Sequence, residues 1–512
     1  MELRHRRTIA DTPKSFKTYN EQRMKIVSIA SEMTPFAKTG GLAEVCGTLN
    51  RELVSLGHEV LAFLPAYKCI NSDTPGFQTV IDRMEVPVGS EKEMAKIRHM
   101  TDANGVQIYL VDHESFFNRD QLYGTPTSDY PDNDRRFIFF QRAVLETLRR
   151  LSYSPDILHC HDWQTGLVPV FLKTLYSKET LFKKTKTVFT IHNLAYQGNF
   201  PPDSLPLTGL SWEEFKLEKL EFYGKISFMK GGLVYSDSLT TVSERYAQEI
   251  QTKEFGCGME NVIATRKTRL FGVINGIDYR EWNPETDTDI KQTYTLEAIE
   301  KKAENKKALQ AEHEFKVDPK IPVIGLISRL VDQKGIDILI PALEQLESQG
   351  IQFVLLGTGE EKYHKLLRRI GKRNKEQFGI HIVFDSKLAK RIYAGCDLFI
   401  LPSYYEPCGL GQMIALRYGT IPVVRATGGL ADTIEEFDSK AGSGNGFLFE
   451  AYTTEALLAA MKKALKTFED KKLWKTLTTN AMKCDFSWTA SAKRYTEIFE
   501  MTVQGKIKSS GK

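Results

Sequence analysis

Lys38, Gly40 and Gly41 fall in the run AKTGGLAEV, between an apolar stretch that reads as a strand and an amphipathic one that reads as a helix. Adjacent glycines let backbone approach a ligand closely, and a helix N-terminus attracts an anion. With the Lys38 ammonium beside them, free amides here suit a diphosphate. The run fits neither the dinucleotide fingerprint nor a Walker A loop, and its plain alternative is a tight turn with an exposed lysine. A second basic loop, SRLVDQKG, sets Arg329 and Lys334 before another helix. Arginine would grip a phosphate by its fork, and lysine as a point charge. In SYYEPCGLGQ, which ends a strand and opens a helix, Glu406 suits sugar hydroxyls, while the amides of Gly409 and Gly411 suit a phosphate.

Other runs carry polar groups at strand ends. HCHDW places His159 and His161 on one strand face, with Asp162 just beyond. A zinc ion would need further ligands, and none is paired nearby in sequence, so no metal is expected. IHNLAYQGNF supplies His192 and Asn193, with Tyr196 and Phe200 suited to stacking on a sugar ring. Asn275 and Gly276 in VINGID form a turn pair by default. No Ser-His-Asp triad, closely paired carboxylates or Schiff-base lysine motif stands out. The residues point to an enzyme of nucleotide diphosphates or phosphosugars.

These loops need a scaffold that delivers them to one place. Short apolar runs alternate with helical patterns: MKIVSIAS, HEVLAFLP, QIYLVD, DILHCHDW, TKTVFTIHN and SLTTVSERYAQEI in the first half. Thr241 with Glu244 three residues on reads as a capping box. The rhythm breaks over 284–320 with a polar turn-rich stretch and a highly charged helix. It restarts with five strands, IPVIGLISRL, IQFVLLGTG, IHIVFD, DLFILPS and TIPVVRA. This is the β-α alternation of doubly wound parallel sheets. Two such α/β domains of Rossmann type are expected, 24–284 and 285–485. Residues 486–512 hold a last helix, which packs back on either domain, and a basic tail. Ligands of such sheets bind beyond the C-terminal strand ends, so the polar runs all face one cleft.

Length fits two domains of roughly 200–250 residues. The chain has 512 residues and a net charge of +4. Residues 1–23 and 505–512 carry +3 each, which leaves −2 for the body between them. Basic solvated tails on a nearly neutral body give no case for nucleic acid binding. Residues 1–23 lack an apolar core of a secretory signal and read as a disordered extension, with Met24 a candidate start. No apolar run is long enough for a membrane span. Seven cysteines without a C-x-x-C pair fit reduced thiols.

In order from about Met24 to about Val503, the runs KTGGLAEV, HCHDWQTGL, TIHNLAYQG, VINGIDYREWNP, SRLVDQKG, LLGTGEEKY, EPCGLGQ and RYGTIPVVRATGGLADT resemble bacterial glycogen synthase and plant starch synthase. The resemblance implies a GT-B fold, a first domain on the acceptor side and a second on the nucleotide-sugar side. It implies transfer of glucose from ADP-glucose to the non-reducing end of an α-1,4-glucan, with retained configuration and no metal or cofactor. By the same resemblance Lys38 contacts the donor diphosphate and Gly40–Gly41 pack near the sugar phosphate. Arg329 and Lys334 neutralise the departing diphosphate. Glu406 engages the donor glucose, and Cys408 to Gly411 line it. His192 stands at the reacting face, Asp162 in the acceptor or sugar pocket, and Asn275 near the donor. A cytoplasmic home is expected, with a plastid the alternative.

Three positions depart from the family pattern. Glu44 replaces the usual Asp, Phe384 stands where a Tyr commonly stacks on adenine, and Lys390 replaces a His. They bear on the base of the donor, ADP against UDP. The alternatives are a related GT-B transferase using UDP-glucose or a non-glucan acceptor, and an inactive glucan-binding protein.

Overall fold

The computed structural model describes residues 23–70, 76–125 and 127–506. The extension expected over 1–23, apart from Arg23, and the end of the basic tail lie outside the described residues. Among the described residues, twelve strands precede the break in rhythm over 284–320: β1 Lys25–Ile29, β2 Glu59–Pro65, β3 Gln78–Val88, β4 Glu91–Thr101, β5 Gln107–Asp112, β6 Ile157–His161, β7 Lys186–Ile191, β8 Asn199–Phe200, β9 Glu221–Phe222, β10 Lys225–Ser227, β11 Ser238–Thr241 and β12 Leu270–Gly272. Six follow: β13 Val323–Ile327, β14 Gln352–Leu356, β15 Phe378–His381, β16 Leu398–Leu401, β17 Ile421–Arg425 and β18 Phe447–Phe449.

The first sheet runs β12-β11-β7-β6-β1-β2-β5-β4-β3. It is parallel from β12 to β5, and β4 alone runs against the other strands, pairing antiparallel with β5 and β3. Its central strands are buried on both faces, as helix-covered parallel strands must be. The second sheet is wholly parallel in the order β15-β14-β13-β16-β17-β18. That order reverses between β13 and β16, and the first sheet's reverses between β1 and β6. Each reversal opens a crevice beyond the strand ends. The two doubly wound sheets of the GT-B plan are therefore present, each with its own switch point.

The chain crosses between the domains twice, side by side. Ile277 N donates to Phe486 O at 2.8 Å, and Phe486 N donates to the Tyr279 hydroxyl at 2.9 Å. After the second crossing the helix Trp488–Val503 lies on the first domain, against the helix Gly41–Ser55 and β7. Its Tyr495 and Phe499 are buried there beside His159.

The helices Glu244–Glu249 and Gly428–Thr433, one from each domain, cap one another. Arg245 N donates to Asp432 Oδ2 at 2.9 Å, and Gly428 N donates to both Glu249 carboxylate oxygens at 3.1 Å. Each carboxylate thus sits at a positive helix end. The capping box expected at Thr241 and Glu244 is not formed. Ser243 is the N-cap and accepts from Tyr246 N, while Thr241, still inside β11, donates to Ile191 O. The strand runs further than its polar residues suggest, because Thr is at home in a buried parallel strand. Glu249→Ala removes charge-assisted bonds across the domain interface and is expected to cost about 1.5–3 kcal/mol, read as a lower urea midpoint.

Candidate functional site

The two switch points face each other across a cavity of about 520 Å³. From the first domain come the loop after β1, with Gly40 and Gly41, and the loop after β6, with Asp162. His192 after β7 and Asn275 after β12 join them. From the second come Arg329 and Lys334 after β13, and Glu406 to Leu410 after β16. All the strands point their C-terminal ends at this space, which is why the polar runs converge.

Around Gly40 and Gly41 there is open space: a Cβ on either would meet nothing within 4 Å. Room for a ligand is therefore built into the backbone. The loop's amides are partly used already. The buried Glu32 carboxylate takes Thr39 N at 2.5 Å and Gly40 N at 3.3 Å, and also binds the hydroxyls of Thr39 and Tyr123. The sequence reading left these amides free for an anion. It did not single out Glu32, whose partner Tyr123 is distant in sequence.

Lys38 turns away from this cavity. Its Nζ donates to Glu44 Oε1 at 2.5 Å, and both line a neighbouring cavity of about 270 Å³ with Glu281 and Trp282. Lys38 is 44% exposed at its side chain. An ion pair this exposed holds weakly against a competing diphosphate.

On the facing wall, Lys334 Nζ donates to Glu406 Oε2 at 2.5 Å, and Ser403 Oγ donates to the same oxygen at 3.0 Å. Gly335 has φ 69, and a Cβ there would stand 2.0 Å from Pro402 O, so the two loops touch backbone to backbone. Arg329 is exposed at the cavity wall. Gly409 has φ 73, and the buried Gln412 binds the carbonyls of Cys408 and Gly409, fixing the loop ahead of the helix Gly411–Arg417. Asn275 is buried, and its Oδ1 has no hydrogen-bond partner among the described residues. It is an acceptor at the cavity wall with a bond still to make. Phe384 lies outside the cavity on the surface, 84% exposed, and Lys390 ties the interdomain segment by bonding Asp289.

Asp162 is held at φ 54 and ψ −177, a backbone region costly for any residue but glycine. Its carboxylate accepts His192 N at 2.7 Å, which fixes the turn carrying His192. Burial pushes its pKa up to about 7, against the backbone bonds from His192 and Asn193 that lower it. The folded state therefore holds a proton that the unfolded chain, at the ordinary carboxylate value, has lost. This contribution to stability is present below about pH 4 and lost as pH rises through about 7. Asp162→Asn is expected to flatten that slope in urea midpoints taken between pH 5 and 8.

His159, His161 and His192 form a packed group. His159 and His161 have ring centroids 4.0 Å apart, and His161 Nδ1 lies 2.9 Å from His192 Nε2. Among the described residues, no group of three or more His, Cys, Asp or Glu side chains is arranged to hold a metal ion.

Two Rossmann-type sheets with apposed switch points, and with basic loops and a carboxylate across one cleft, define a glycosyltransferase of the GT-B class. Residues 25–265 match the starch synthase catalytic domain family, and residues 306–482 match the glycosyl transferases group 1 family. The glycogen synthase of Geotalea daltonii is 46% identical over 483 residues, covering 94% of this chain and 100% of that one. The chain belongs to the glycogen and starch synthase family. The glycogen synthase of Thermosipho melanesiensis is 44% identical, again over 94% of this chain and 100% of its own. Among solved structures, the catalytic domain of starch synthase IV from Arabidopsis thaliana, bound to ADP and acarbose, matches with a TM-score of 0.86 and 34% identity. That match covers 94% of this chain and 100% of the other. A sucrose-phosphate synthase from Thermosynechococcus elongatus, at TM-score 0.59 and 15% identity, shares the fold alone.

Proposed function

We propose that the protein transfers glucose from ADP-glucose to the non-reducing end of an α-1,4-glucan, with retained anomeric configuration and without metal or cofactor. The observation that carries this is the cleft itself. The Gly40–Gly41 backbone stands on one wall, and Arg329 with the Lys334–Glu406 pair stands on the other. A nucleotide diphosphate leaving group gains charge as the glycosidic bond breaks. Cations fixed in place bind that charge better in the transition state than before it. The similarity to glycogen synthases over 94% of the chain supports the glucan as acceptor.

In this mechanism the glucan hydroxyl attacks the face from which the diphosphate departs, and a phosphate oxygen of the leaving group takes the proton. Glu406 holds the donor glucose, and Lys334 and Arg329 take the diphosphate charge. Lys38 exchanges Glu44 for the diphosphate when donor enters. A covalent glucosyl-enzyme trapped on any side chain would overturn this route. The departures at Glu44, Phe384 and Lys390 bear on the choice of base, so the second reading is a UDP-glucose donor.

The test is transfer from ADP-glucose and, in parallel, UDP-glucose onto glycogen, with Lys38→Ala beside the unaltered protein. Transfer from ADP-glucose that falls at least tenfold in the variant is the expected result. Preference for UDP-glucose would move the donor assignment, and no transfer from either would sink it. A cytoplasmic location is part of the same proposal. Among the described residues no helix is long and apolar enough to cross a membrane.

A further inference from the structure

We infer that His161 sets the tautomer of His192, so that His192 turns a protonated Nδ1 toward the cleft as a hydrogen-bond donor. The two side chains leave neighbouring parallel strands, β6 and β7, and His161 Nδ1 stands 2.9 Å from His192 Nε2. Both rings are neutral at ordinary pH. Burial pushes His192 down to about 3, and burial with the neighbouring His159 holds His161 well below the usual range. Between two neutral imidazoles, one nitrogen donates and the other accepts.

The direction is set by the far side of His161. Its Nε2 is buried and has no hydrogen-bond partner among the described residues. A proton there would be a buried N–H without an acceptor, which proteins avoid more strictly than a bare lone pair. His161 therefore carries its proton on Nδ1 and donates it to His192 Nε2. His159 obeys the same rule. Its Nδ1 is buried without a hydrogen-bond partner among the described residues, and its Nε2 lies 2.7 Å from Thr190 Oγ1, so the proton sits on Nε2 and is donated to the hydroxyl.

With Nε2 accepting, His192 carries its proton on Nδ1. His192 lines the cavity, and no protein partner occupies that nitrogen among the described residues. It meets a ligand as a donor and cannot serve there as a base. A sugar oxygen is the partner this suits, and only this last step rests on the proposed function. His161 is fully buried and does not line the cavity. It is a positioning residue, and its role is set by which of its own nitrogens lacks a partner.

The test reads protons on nitrogen directly. The full-length protein is labelled with 15N-histidine, and two-bond proton–nitrogen correlations are recorded. His192 is identified by the signals lost in His192→Gln. The expected result is a protonated Nδ1 and a bare Nε2 at His192. In His161→Asp, whose ionised carboxylate can only accept, the proton moves to Nε2 and kcat falls about tenfold, the effect of one misdirected hydrogen bond. In His161→Asn, whose amide N–H replaces the Nδ1–H, both the tautomer and most of kcat return. A protonated Nε2 at His192 in the unaltered protein overturns the inference, as does a tautomer unchanged by His161→Asp. If that variant fails to fold, the unaltered protein alone decides. The tautomer is read without turnover, so an absence of glucosyl transfer would count against the function and not against this assignment.

Discussion

Lys334→Ala is expected to lower kcat for glucosyl transfer by about 10²–10³, the range for losing one fixed charge-stabilising group. The side chains of Lys334 and Glu406 are only 15% and 9% exposed, so water screens their pair little. Removing the lysine has a second effect. It leaves a buried carboxylate with the Ser403 hydroxyl as its one remaining side-chain partner among the described residues. Breaking a buried pair from one side typically costs about 3–5 kcal/mol. The two effects separate in a double variant, Lys334→Met with Glu406→Leu. Its urea midpoint should return toward that of the unaltered protein, because replacing both partners removes the unpaired charge. Its activity should stay lost. If activity returned with stability, the pair would be structural and the mechanism wrong.

Gly428→Ala is the second large expectation, made at a residue that does not line the cavity. Gly428 has φ 43, and a Cβ there would stand 2.0 Å from Glu406 O. Its own N–H is bound by Glu249, and the next amide, Gly429 N, donates to Glu406 O at 3.1 Å. The residue cannot retreat without breaking the interdomain cap, so the Glu406 loop must move instead. A displacement of about 1 Å at a reacting group costs on the order of 10² in rate. We expect kcat to fall by about that factor while the protein stays folded, with a destabilisation of at least about 1 kcal/mol. Normal kcat in a folded Gly428→Ala protein would show that the cap does not govern Glu406.

The cleft motifs were legible because each follows a buried strand, and such strands read as unbroken apolar runs. IPVIGLISRL announces β13 and, with it, Arg329 and Lys334. The hairpin of β3 and β4 was not seen, because Gln78–Val88 is exposed over most of its length and reads as polar. β18 escaped by its shortness, three residues. β15 ends at His381, before Phe384, where the apolar letters of IHIVFD run on into a loop. Partnerships were the harder part. That His161 meets His192 depends on β6 lying beside β7, and that Glu249 meets Gly428 depends on how the two domains dock. Neither neighbour relation is written in local pattern. Asn275 illustrates the limit: its Asn-Gly pair reads as a turn, and only its buried, unpartnered oxygen points to a ligand.

The double crossing fixes an order of events during synthesis. The helix Trp488–Val503 completes the first domain, yet the ribosome releases it only after the whole second domain. At about 5–20 residues per second that delay is roughly 10–40 s. Through it, the surfaces that will receive Tyr495 and Phe499 beside His159 stay uncovered, an apolar face on a nascent chain. The second domain is continuous in sequence and meets no such wait. The domain translated first is therefore the last to be finished, and a chain stalled before Ser487 would carry a complete second domain beside a first one still open to chaperones.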